Sequence, residues 1–191
     1  MLSQLPLDDT MVRYQPAGGG MPLYVYRVRP ALAIAFRAIH RPGQWQLGLR
    51  ACSEATSVDL RLDLTRALLL RDSLLTAVDA YAANPFPVSK IAPCPVNSPL
   101  LLRPCDLEAP LDAVRVLHHP QKRLLAIEAR GQIGKAPFLT EIWGTPEQLL
   151  ALAEQIGSVC QQVSSLCPIC GHLAEEGSHQ CQFHSQESGS V

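Results

Sequence analysis

Apolar and polar side chains begin to alternate after Pro22, in four short runs at residues 23–29, 31–39, 44–52 and 57–64. Alternation over such lengths predicts half-buried strands, because successive side chains of an extended chain point to opposite faces. Turn signals separate the runs at Arg29-Pro30, at Arg41-Pro42-Gly43 and across 53–56. In the fourth run Val58, Leu60, Leu62 and Leu64 point one way and Asp59, Arg61 and Asp63 the other, which marks one buried and one wet face. The period then changes. Residues 65–83 read as a helix with Leu70, Leu74, Ala77, Val78 and Tyr81 along one stripe, stopped by Asn84-Pro85. Residues 1–20 show no sustained period and end in three glycines, Gly18 to Gly20, which predicts a mobile arm.

Five of the sixteen prolines fall between residues 84 and 99, so this stretch reads as a linker or a rigid crossing segment. After it the same order recurs, with strand-like runs at 100–107, 113–118, 123–130 and 138–143. The turns between them fall at Ala109-Pro110, at His119-Pro120-Gln121 and across 131–137. A second helix opens on Thr145, with Pro146 at its first position and Gln148 placed to complete a capping box. Leu149, Ala153, Ile156, Cys160 and Val163 then recur at alternating spacings of four and three, a core-facing stripe.

The chain therefore divides into an arm (1–20), a first ββββα repeat (21–84), a linker (85–99), a second ββββα repeat (100–165) and a tail (166–191). The expected class is α+β: two antiparallel meander sheets, each covered on one face by its helix. This order resembles the Whirly family and related single-stranded nucleic-acid binders, in which two such repeats form two packed sheets. The resemblance is one of topology and implies a binding rather than a catalytic role.

Composition narrows the classes. A hydrophobic content of 47% with 17% charged residues is that of a globular chain. No apolar run approaches the ~18 residues needed to cross a bilayer, and Asp8 and Asp9 stand where a signal peptide would be apolar. The expected location is the cytoplasm, where cysteines stay reduced and a Cys/His cluster reads as a metal site. Cys52, Cys94, Cys105 and Cys160 are scattered and read as small apolar core side chains.

The densest chemistry lies in residues 167–184, which hold three of the seven cysteines and three of the six histidines. Cys167-Pro-Ile-Cys170-Gly171 is a knuckle that offers two thiolates from one tight turn, and His179, Cys181 and His184 follow. Zinc takes four such ligands in a tetrahedron, so a structural zinc site is expected on Cys167, Cys170, Cys181 and His179, with His184 as the alternative fourth ligand. The tail resembles an uncharacterised bacterial family ending in Cys-Pro-x-Cys-Gly followed by His-x-Cys, and that resemblance favours His179.

Net charge is −1, yet residues 10–50 carry six arginines and no acid. Through residue 90 there are ten basic and seven acidic side chains (+3), and beyond it six and ten (−4). Arginines interleaved with rings suit single-stranded nucleic acid, the cations for phosphates and the rings for bases. Trp45 and Phe36, however, share parity with Leu47, Leu49 and Ile34, so these rings are expected to face the core. The expected nucleic-acid face is then polar, with Arg27, Arg29, Arg37, Arg50 and Arg61. His118-His119 reads as part of a solvated turn, and no G-x-S-x-G, P-loop, G-x-G-x-x-G or H-E-x-x-H pattern occurs. The sequence thus points to a non-enzymatic, zinc-stabilised binder of single-stranded nucleic acid. The alternatives are a protein–protein adaptor docking through the tail or a sheet edge, and an enzyme with an unrecognised site. A homo-oligomer would suit the internal symmetry.

Overall fold

The computed structural model describes residues 11–15, 21–41, 44–82, 98–119, 124–167 and 170. The elements run β1 (Met11–Tyr14), β2 (Leu23–Val28), β3 (Ala33–Arg41), β4 (Gln44–Cys52), β5 (Ser57–Leu62) and α1 (Leu64–Ala82). After a 3-10 turn (Pro99–Leu102) come β6 (Leu107–Pro110), β7 (Ala113–His119), β8 (Leu124–Ile133), β9 (Ala136–Gly144) and α2 (Pro146–Ser164). The class is α+β, as expected.

The sheets are not the two meanders that chain order suggests. One has the order β1-β2-β9-β8-β7 and the other β3-β4-β5-β6. β2 leaves its sequence neighbours to pair parallel with β9, and β6 leaves its own to pair parallel with β5. Each sheet is therefore completed by a strand from a distant part of the chain. Alternation says which side chains share a face and is silent about which strands pair, so the exchange leaves no mark on the pattern.

The inner faces meet in one hydrophobic core. Phe36, Leu47, Leu49 and Leu60 enter it from the four-stranded sheet, and Leu125, Ile127, Phe138 and Ile142 from the five-stranded one. Burying a ring such as Phe36 or Phe138 stabilises the fold by about 1.5–3 kcal/mol. The helices pack on each other, α1 also lying beside β7 and α2 beside β3. Both strands are sheet edges. Each helix thus lies beside an edge strand, α1 at the five-stranded sheet and α2 at the four-stranded one, and both send side chains into the shared core.

Ala67, Leu70 and Leu74 of α1 and Leu149, Leu152, Ala153, Ile156 and Cys160 of α2 are buried. The capping box of α2 forms as the sequence predicts. Gln148 N donates to Thr145 Oγ1 at 3.2 Å and Thr145 N donates to Gln148 Oε1 at 3.0 Å.

Three further stretches differ from expectation. Met11–Tyr14, inside the stretch read as an arm, forms strand β1 against β2; four residues are too few to show a period. The run 100–107 is not a strand. Ser98 caps the 3-10 turn there, and β6 begins only at Leu107. It then runs through Pro110, which a sheet edge tolerates because the missing N–H costs no ladder bond.

The turn expected across 131–137 is shorter, because β8 continues to Ile133 and the chain reverses at Gly134, whose φ is +63°. Gly131 therefore lies within β8. A Cβ there would stand 2.5 Å from the Pro110 carbonyl oxygen and 2.6 Å from the Phe138 ring, so only glycine fits. Among the described residues no helix is long and apolar enough to cross a membrane.

Candidate functional site

The outer face of the five-stranded sheet carries a row of charges in register across four strands. Arg27 on β2 pairs with Glu141 on β9, Glu141 with Glu128 on β8, and Glu128 with Arg115 on β7. Arg27 Nε stands 3.4 Å from Glu141 Oε2. Arg115 grips Glu128 bidentately through Nε at 2.8 Å and an Nη at 2.9 Å. Arg130, one step along β8, brings its Nε to 3.0 Å and an Nη to 2.9 Å of the same carboxylate.

The Glu128 side chain is 7% exposed, whereas those of Arg115 and Arg130 are 58% and 59% exposed. The hydrogen bond from Arg115 holds the Glu128 carboxyl below the usual carboxylate range against the opposing effect of burial, and the Arg130 charge adds to the lowering. Ala113, Val114, Arg115, Glu128 and Arg130 line a pocket of about 140 Å³.

Beside this row lies a ring–cation stack at the seam of β2 and β9. Trp143 alternates outward between buried Ile142 and Gly144, and small Ala126 is its cross-strand neighbour on β8. The Arg29 guanidinium lies over its ring at 4.8 Å from the centroid. Arg27 and Glu141 are 114 residues apart in sequence. Only the parallel pairing of β2 with β9 brings these groups together.

The remaining expected arginines lie on the outer face of the four-stranded sheet. Arg37 forms an ion pair with Asp59. Arg50 is buried at 8% exposure, 3.4 Å from Asp59 Oδ2, and donates to the Arg103 carbonyl. It ties the segment after the 3-10 turn to the sheet and presents little to a ligand. Arg61 is half-buried, and its Nε has no hydrogen-bond partner. The single arginine-bearing face read from the sequence is therefore divided between two sheets.

The ring assignment holds: Phe36 is 1% exposed, and the half-buried Trp45 lies on the inner-face side against His40, with ring centroids 4.7 Å apart. Trp143, Arg115, Arg130 and Glu128 lie outside the site that the sequence predicts. The signal for Trp143 was present in its parity, shared with Glu141 and opposite to Phe138 and Ile142.

Cys167 is buried just beyond the end of α2, and Cys170 is half-buried. His179, Cys181 and His184 lie outside the described residues, and among the described residues no group of three metal-type side chains gathers. Cys52 and Cys160 are buried as expected, while Cys105 is half-buried and Cys94 lies outside the described residues. Burial pushes the Cys105 and Cys160 thiols above their ordinary range. His118 is exposed at the end of β7, edge-on to Tyr81 at 5.5 Å.

Comparison with models of known families, with curated proteins and with solved structures finds no match to this chain.

Proposed function

We propose that this chain is a non-enzymatic, zinc-stabilised protein that binds single-stranded nucleic acid across the outer face of its five-stranded sheet. The observation that carries the reading is the Arg29–Trp143 stack, flanked by Arg27, Arg115 and Arg130. A base stacks on an indole, and guanidiniums hold the flanking phosphates. These four arginines against Glu128 and Glu141 leave a local charge of +2. Phosphates compete with carboxylates for three of the four cations, so binding is weak at high salt and grows steeply as salt falls. Arg37 and Arg61 on the other sheet form a secondary basic surface.

The finer architecture belongs to the same reading. The runs β2–β5–α1 and β6–β9–α2 are two ββββα repeats, and each lends its first strand to the other's sheet in a Whirly-like arrangement. Zinc is held by Cys167, Cys170, Cys181 and His179, with His184 as the alternative, and closes the chain after α2 in a cytoplasmic protein. The buried position of Cys167 suits a structural rather than an open site. A protein adaptor docking through a sheet edge is the second reading, favoured by β1, an edge strand whose Met11 and Tyr14 are 53% and 37% exposed.

Fluorescence anisotropy with a labelled oligonucleotide tests the first reading. Trp143→Ala is expected to weaken binding by about 1–3 kcal/mol. The paired change Arg27→Gln with Arg29→Gln is expected to flatten the salt dependence. No binding at low salt overturns the nucleic-acid function. A substoichiometric zinc content in the purified chain overturns the metal assignment.

A further inference from the structure

The pocket beside β7 has a composition that the stability of a surface ion pair does not require. Glu128 is buried and receives one edge of each of two guanidiniums, both more than half exposed. One carboxylate is matched by a single bidentate arginine, so the second arginine leaves a surplus positive charge at the pocket mouth. Each guanidinium keeps further N–H donors beyond the edge given to Glu128, and Glu128 fixes the planes in which they lie. Donors already oriented in this way bind an anion with little ordering cost. The pocket's 140 Å³ is below the ~300 Å³ typical of sites that enclose a whole small molecule, so it takes a chemical group.

We infer that this pocket is a phosphate subsite, in which Arg115 and Arg130 together hold one phosphate group, and that it takes a phosphodiester of a strand whose base lies on Trp143. The second clause rests on the proposed nucleic-acid function; the first does not. β9 and β7 are separated by one strand, and the pocket lies two to four positions along β8 from Ala126, the neighbour of Trp143, so the ring and the pocket centre lie about 12 Å apart at the usual strand spacing and rise. A strand running obliquely across the sheet, from Trp143 toward the Ala113 end of β7, meets the pocket with its backbone. Glu141 in the same row is engaged by Arg27, which leaves Glu128 as the nearest competing anion.

The test uses the full chain and two probes. Removing both arginines alone would strand a buried carboxylate, so the informative variant is the neutral triple Arg115→Gln, Glu128→Gln and Arg130→Gln, with its fold checked by circular dichroism. With a labelled oligonucleotide, loss of one phosphate contact is expected to lower the log–log salt slope by about 0.7. With inorganic phosphate, the Arg115 and Arg130 Nε–H resonances should shift saturably while the Trp143 indole stays still.

An unchanged slope in a folded variant that still binds overturns the nucleic-acid part of the subsite and leaves the general function standing. Absent phosphate-induced shifts at both arginines overturn the phosphate subsite itself. Saturable shifts in a chain that binds no oligonucleotide support a site for free phosphate and overturn the nucleic-acid function.

Discussion

Glu128 and Gly131 lie three positions apart on β8 and govern different properties of the same strand. The folded state holds the Glu128 carboxyl below its unfolded value through the Arg115 hydrogen bond. A depressed acid contributes stability above its unfolded pKa and loses it as pH falls through the folded value. Urea melts are therefore expected to show midpoints that drop below the ordinary carboxylate range. In Glu128→Gln that part of the pH dependence should vanish.

Gly131→Ala places a Cβ against the Pro110 carbonyl and the Phe138 ring, and is expected to cost about 1–3 kcal/mol. Calorimetry should show it as a fall in Tm of roughly 2–4 °C per kcal/mol. Much at this scale was legible beforehand. Phe36 and Ile34 face inward because their parity places them there. The outward side of Trp143 is equally legible from the parity it shares with Glu141, but one ring in a short run does not define a ring-bearing face.

The sequence marks the elements themselves more fully than their partners. The β4 strand, both helices and the Thr145 capping box stand where alternation, stripe and cap residues place them. The run 100–107 shows the limit, since a short apolar stretch beside prolines has no period that separates a turn from a strand. Nor does any local pattern announce that α2 guards an edge. It does so through Gln155, whose Oε1 accepts the Phe36 backbone N–H at 3.0 Å. Gln155→Leu leaves that buried donor without a partner, and is expected to cost about 1–3 kcal/mol in urea unfolding. Amide exchange at Phe36 should quicken by more than that at central-strand amides such as Leu49.

For the molecule as a whole, the exchange of β2 and β6 matters most, and it was the part the sequence could not reveal. Pairing depends on contacts between residues far apart, whereas the pattern of apolar positions is local. Because each sheet contains strands from both sides of residues 83–97, neither stretch has a complete sheet of its own. A chain cut within residues 83–97 is expected to give two fragments, each with little cooperative structure. Mixing them should restore the β-sheet circular dichroism, and a fragment with a full melting transition of its own would contradict the exchange.

The same exchange has a consequence for biosynthesis. β2 emerges from the ribosome well before β9: Glu141 follows Arg27 by 114 positions, which take about 6–23 s to make at ordinary elongation rates. Throughout that interval the side of β2 that will pair with β9 is open, in the condition that favours association with other nascent chains. Arg27, Arg29 and Pro30 stand at the end of that strand, and charge and proline are what oppose such pairing. The arginines that would meet a ligand in the finished protein thus also stand where they would oppose such pairing while it is being made.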